Sequence, residues 1–251
     1  MTSKTTKRSK IQNPNEKSVG FLWAVVAIVV IAIAVIAYVV ISGNKSQDAK
    51  IAETYNENTS FSTKLDDSSS ILLAADNVAK DAPVVDLYED YSCHFCADLA
   101  KNTDGDMKKL IEDGKIKLHI RTLNFLDDQN GDGKAEEAHS TKAGTAAYTL
   151  VKDDDPKVYW NFRAMLMAQQ QDIWNKKELK DFAEMAKTLG AKDETVQKIK
   201  DGTYTEEFKK LAESNSKKLE QDGGNVSSPR VFIDGKEFKS NSISDWLKEI
   251  K

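Results

Sequence analysis

The chain predicts an α/β fold: a β-sheet built in two halves with an all-helical segment inserted between them, behind one apolar N-terminal helix. Three observations carry this. The first is an uncharged stretch of 21 residues from Phe21 to Ile41. The second is β-type apolar patterning that stops near residue 133 and resumes near 222, with helical periodicity between. The third is Cys93-His94-Phe95-Cys96, which lies where a strand gives way to a helix and holds the only two cysteines among 251 residues.

The N-terminal region reads as a basic tail over residues 1–18, a transmembrane anchor over 19–41 and a polar linker over 42–69. At helical rise, 21 apolar residues cross the hydrocarbon core of a bilayer. A cleaved signal peptide would have a shorter apolar region ending at small residues, whereas Ser42-Gly43-Asn44-Lys45 follows here. Lys4, Lys7, Arg8, Lys10 and Lys17 against Glu16 make the tail net +4 and place it in the cytoplasm. With the whole chain at −4 and the span uncharged, the outer part carries −8, a balance that speaks against nucleic acid as a partner. The expected location of residues 42–251 is therefore extracytoplasmic, where disulfides form and persist.

Residues 70–133 form the first part of the β unit. Ile71-Leu72-Leu73 is a short strand, and Pro83 opens a second over Val84–Tyr88 that delivers the chain to the cysteines. Ser92 is the expected cap of a helix whose first turn carries Cys93, so that peptide N–H groups favour a thiolate there. Cys96, Leu99, Ala100, Thr103, Met107, Leu110 and Ile111 keep one helical phase through Gly105, and Gly114 ends the helix. Ile116, Leu118 and Ile120 then alternate with Lys117, His119 and Arg121 as in a half-buried strand, which leaves His119 solvated. Strand, CxxC helix, strand is the first half of a thioredoxin-like unit.

Asp128, Asn130 and Asp132-Gly133 match the opening of a calcium loop, with Glu136 at a water-mediated position. The twelfth position, however, is His139 where a bidentate Glu belongs, and Asn, Asp and Gly are equally what a surface turn needs.

Residues 134–221 are helical throughout. Ala138, Ala143, Ala146, Ala147 and Leu150 form a face of small side chains, and Pro156 starts a helix with Val158, Phe162, Met165, Leu166 and Gln169 on one side. Asn175 with Glu178 resembles a capping box before Leu179, Phe182, Ala183 and Ala186. Over residues 222–251 the β pattern returns: Val231-Phe232-Ile233 and Lys236-Glu237-Phe238 flank Asp234-Gly235 as a two-residue hairpin, and Ser242–Lys251 closes the chain as an amphipathic helix.

Two thiols two residues apart can close a small ring and reopen it, which is redox chemistry. Zinc is the competing reading of CxxC, and it fails for want of a second ligand pair, since neither His119 nor His139 has ligand spacing to it. Cys93 is the expected nucleophile and Cys96 the resolving thiol, with nothing in the sequence calling for a cofactor.

The sequence resembles the DsbA family of thiol–disulfide oxidoreductases, in particular the membrane-anchored members of Gram-positive bacteria. Three features carry the resemblance over about residues 70–251: Tyr88-Glu89-Asp90-Tyr91-Ser92-Cys93-His94-Phe95-Cys96, the helical insertion, and Val226-Ser227-Ser228-Pro229 leading into Arg230-Val231-Phe232-Ile233. It implies a thioredoxin-like fold and a cis peptide at Pro229 facing the CxxC pair, with Ser228, Pro229 and Phe95 contacting an extended substrate. It further implies reduced exported proteins as substrates and a quinone-linked membrane re-oxidant of the DsbB or VKOR-like kind.

Two departures bear on redox direction. The family often has Pro-His between the cysteines, whereas His94 comes first here and is the expected thiolate stabiliser for Cys93. The family's buried acid six residues before the first cysteine is replaced by Leu87, so that Glu89, of the same parity, is the substitute proton relay for Cys96. A disulfide-forming oxidase is the expected activity. The alternatives are a reductase or isomerase, a thiolate copper or zinc chaperone, and a non-catalytic anchored binding protein.

Overall fold

The computed structural model describes residues 19–66, 69–128, 130–131 and 135–250, with the side chains of 19–21, 37 and 39–48 outside that description. The tail over 1–18 and Asp132 of the candidate calcium loop thus lie outside the described residues. The chain divides into two compact units, residues 1–47 and 48–251.

Helix α1 runs over Val19–Thr54. In the first unit its described apolar side chains, Leu22, Trp23, Ile28, Ile31 and Ile33 among them, are exposed. Among the described residues no helix is long and apolar enough to cross a membrane, and part of the expected span, at 19–21, 37 and 39–41, falls outside the described side chains.

In the second unit the sheet has the order β1-β2-β4-β3-β5-β6, with β1 Ser62–Leu65, β2 Ile71–Ala74, β3 Val84–Asp90, β4 Lys117–Leu123, β5 Arg230–Ile233 and β6 Lys236–Glu237. Only the β3–β4 pair is parallel, joined by helix α2 over His94–Glu112. Apolar residues at both central strands, Val85, Leu87, Leu118 and Ile120, are fully buried, as expected for strands covered on both faces. Gly114 takes φ +68° to end α2, and Asp234-Gly235 takes φ 49° and 75°, the two positive values a tight hairpin requires.

The inserted helices are α3 His139–Asp153, α4 Pro156–Ala168, α5 Gln170–Ile173, α6 Leu179–Thr188, α7 Asp193–Lys200 and α8 Thr205–Gly223. The small face of α3 does what its composition suggests, since a Cβ on Gly144 would lie 2.0 Å from the Phe208 ring of α8.

Four expectations are corrected here. The polar linker over 42–69 is not free chain throughout: residues 48–65 dock on the domain, because they carry Ile51 and Phe61 to bury and contribute β1 to the sheet edge. Asn161 fastens it by accepting from the Glu57 amide at 2.9 Å and donating to the Glu57 carbonyl at 2.8 Å. His119 is half-buried rather than solvated, since Asp66 and Ser70 cover it, with Ser70 Oγ 2.6 Å and Asp66 Oδ2 3.1 Å from Nδ1. The capping residue of α6 is Glu178, its amide donating to Asp181 Oδ2 at 2.9 Å; Asn175 has φ 52° and so cannot serve, an N-cap being extended. Finally, Ile243–Glu249 is a 3-10 helix, pinned by fully buried Trp246.

Candidate active site

β3 ends at Asp90, and the chain turns through Tyr91 and Ser92 into the redox helix. Cys93, not Ser92, is the cap residue of α2, with extended φ −84° and ψ 110°. Ser92 is taken up elsewhere: its amide donates to Asp90 Oδ1 at 2.8 Å and its hydroxyl receives Ser140 Oγ at 2.6 Å.

Both cysteines are free, with only 6 % of Cys93 and 3 % of Cys96 exposed. Ser228–Pro229 is a cis peptide, and the Cys93 thiol donates to the Ser228 carbonyl at 3.4 Å. The cis-proline loop implied by the resemblance therefore meets the cysteines across the sheet.

The two thiols are made unlike by their surroundings. A hydrogen bond from the Cys96 thiol is the main influence drawing Cys93 down to about 6, and Ser228 with the Cys96 and Phe95 amides adds to it against the effect of burial. Cys96 is pushed up, first by burial and then by the Cys93 charge beside it. Cys93 is therefore the more readily ionised of the two sulfurs.

His94 is exposed, its ring lying against Phe95 at a centroid distance of 3.9 Å. The groups that draw Cys93 down are Cys96, Ser228 and the Cys96 and Phe95 amides, and His94 is not among them.

Phe95 is 60 % exposed, and in residues 48–251 the other exposed large apolar side chains, among those described, are Leu126 at 42 % and Trp174 at 51 %. All three belong to segments tied to the redox turn. The Leu126 amide donates to Asp90 Oδ2 at 3.2 Å. Four residues before Trp174, buried Gln170 donates from Nε2 to the Tyr91 and Cys93 carbonyls at 2.8 and 3.0 Å.

The expected proton relay, Glu89, is engaged otherwise. Arg163 of α4 donates from Nε to Oε1 at 2.8 Å and from Nη2 to Oε2 at 2.6 Å, so both carboxylate oxygens are held. The parity argument was nonetheless sound, because Leu87, Glu89 and Cys96 line one narrow cavity together with Pro229.

Asp90 faces the other way, buried with Ser140 Oγ at 2.5 Å and the amides of Ser92 and Leu126. Burial lifts it to about 7 against those donors. In the candidate calcium loop, Asn130 donates to Glu136 Oε1 at 2.5 Å.

Sequence reasoning missed Arg163, Gln170, Ser140 and Asp90. One signal was available for the first: an arginine inside the apolar face of Val158, Phe162 and Leu166 implies a buried acid opposite.

Disulfide exchange requires this asymmetry between neighbouring thiols, and the class of protein it defines on such a sheet is the thioredoxin-like thiol–disulfide oxidoreductase. A family model described as Thioredoxin matches residues 79–251, and the chain belongs to that family.

Among solved structures it is similar to the MdbA thiol-disulfide oxidoreductase of Corynebacterium matruchotii, at 63 % identity and TM-score 0.77, covering 82 % of this chain and 100 % of that one. MdbA of Corynebacterium diphtheriae aligns at 49 % identity and TM-score 0.75, over 80 % and 99 % of the two chains. Mycobacterium tuberculosis DsbA shares the fold at 19 % identity and TM-score 0.56, over 72 % and 92 %. The serine/threonine-protein kinase PknE of M. tuberculosis is 25 % identical over 170 residues, 66 % of this chain and 29 % of that relative, so the chain spans under a third of the curated relatives it matches.

Proposed function

We propose that the protein is a membrane-anchored disulfide-forming oxidase, which donates the Cys93–Cys96 disulfide to newly exported proteins. A substrate thiolate attacks Cys93 Sγ, the Sγ–Sγ bond breaks and Cys96 leaves with the electron pair. A second substrate thiolate then attacks the substrate sulfur, and Cys93 departs as a thiolate. Substrate is oxidised by two electrons and the enzyme ends as the dithiol. Turnover needs a two-electron membrane oxidant of the quinone-linked DsbB or VKOR-like kind.

The observation that carries this reading is the buried Cys93–Cys96 pair facing the cis Ser228–Pro229 peptide, with Cys93 drawn down to about 6 and Cys96 pushed up. A stable thiolate is a good leaving group and stabilises the reduced enzyme, which makes its disulfide oxidising. Ser228 and Pro229 offer a backbone edge to an extended peptide, and exposed Phe95, Leu126 and Trp174 suit a substrate that has not yet buried its apolar side chains. The uncharged 21 residues from Phe21 and the basic tail before them support an anchor with its catalytic domain outside the cytoplasm.

The deciding measurement is the Cys93–Cys96 reduction potential. A value well above that of thioredoxin, roughly −270 mV, is expected; one near it would turn the reading to a reductase or isomerase. Cys96→Ala should accumulate mixed disulfides through Cys93 in cells, which identifies the substrates.

A further inference from the structure

The proline loop that carries the proposed peptide edge, residues 224–229, belongs neither to α8 before it nor to β5 after it. Side chains must therefore help to fix it. Pro229 lines the narrow cavity beside Cys96, and strand alternation sends the next side chain, Arg230, to the opposite face of the sheet. There its guanidinium lies over the Phe232 ring at 5.6 Å and reaches back along the loop.

Its donors are spread along that turn. Nη1 donates to the Asn225 carbonyl and to Ser227 Oγ, each at 3.2 Å, and to Asn225 Oδ1 at 3.4 Å, while Nη2 donates to the Gly223 carbonyl at 3.2 Å. Nε is taken by Glu237 of β6. A planar guanidinium presents its donors in a fixed fork, so one side chain ties the end of α8, the loop and the hairpin together. Gly223 is a second sign of this contact. Its φ is not positive, so the backbone does not call for glycine, but a Cβ there would lie 2.3 Å from Arg230 Nη2.

We propose that Arg230 is the positioning residue of the substrate-binding edge, holding Ser227 and Ser228 in place before the peptide arrives. The inference rests on peptide binding at Ser228–Pro229 as proposed above. A loop ordered in advance spares the complex the entropy of ordering it and keeps the peptide thiolate aimed at Cys93 Sγ. Arg230 is not among the groups that draw Cys93 down, so its part is to place the substrate, not to activate the thiol.

The test compares two reductants of the full-chain disulfide: a reduced cysteine-containing peptide, which uses the edge, and dithiothreitol, which does not. Arg230→Met should lower the second-order rate constant for the peptide roughly tenfold or more, with that for dithiothreitol changing less than about threefold. Glu237 is not stranded by this change, because Lys239 Nζ lies 3.0 Å from its Oε2. Gly223→Ala should reproduce the selective loss with Arg230 in place, since the added Cβ displaces the guanidinium while alanine suits the helix better than glycine. Should Arg230→Met not fold, Gly223→Ala carries the same comparison. Parallel losses toward both reductants, or a wild-type peptide rate in either variant, would overturn the inference. Wild-type protein that does not exchange with the peptide would instead overturn the proposed function.

Discussion

Glu89 and Asp90 are neighbours at the end of the same strand, both buried, and they are held in opposite ways. Alternation sends their side chains to opposite faces of the sheet. Glu89 meets the guanidinium of Arg163 and forms a bidentate ion pair with 1–2 % side-chain exposure on either partner. Asp90 meets one hydroxyl and two amides, with no cation among its hydrogen bonds, and is lifted to about 7. The difference teaches that the helical insertion grips the redox turn on both faces, through charge on one and neutral donors on the other.

Breaking the charged side should give the largest effect. Arg163→Met strands Glu89 in the core, and denaturant unfolding should register a loss of about 3–5 kcal/mol. A loss under about 1 kcal/mol would mean that the pair is not desolvated.

On the neutral side the sign is set by linkage. Asp90 binds its proton more tightly folded than unfolded, so its stabilisation is complete near pH 4 and is lost as pH rises through about 7. Asp90→Asn should remove a slope of up to ~1.4 kcal/mol per pH unit across that window, measured as unfolding free energy against pH. An unchanged slope would show that Asp90 is ionised in the native state.

Gln170 sharpens the comparison because it holds the same turn through carbonyls alone. Gln170→Met should cost about 1–3 kcal/mol by leaving the buried Tyr91 carbonyl unpaired, and hydrogen exchange at the turn should rise. His94→Ala should do least. With its ring outside, against Phe95, the midpoint of Cys93 alkylation against pH should stay near 6. A shift of a full unit would restore His94 as the thiolate stabiliser.

Much of the fold was legible because its signals are local. CxxC spacing, the Gly114 stop, the Asp234-Gly235 turn and the change from helical to β patterning each act within a few residues. The docked segment 48–65 was not legible, since Ile51 and Phe61 lie in polar surroundings in sequence and find their apolar neighbours only in space. Phe61, for instance, packs edge-on against Trp160 at 5.7 Å.

The sequence by itself determined the two thiols and their place at a strand-to-helix junction, because chain direction and backbone preference decide those; the proline that faces them came only through the family resemblance. Only the tertiary structure decided whether the acid on the side of Cys96 is free. Parity placed Glu89 on the side of Cys96, but whether its oxygens are free depends on Arg163, 74 residues away and delivered by a helix of the insertion. Buried charges take the partner that three-dimensional packing brings within reach, and no sequence period records that meeting.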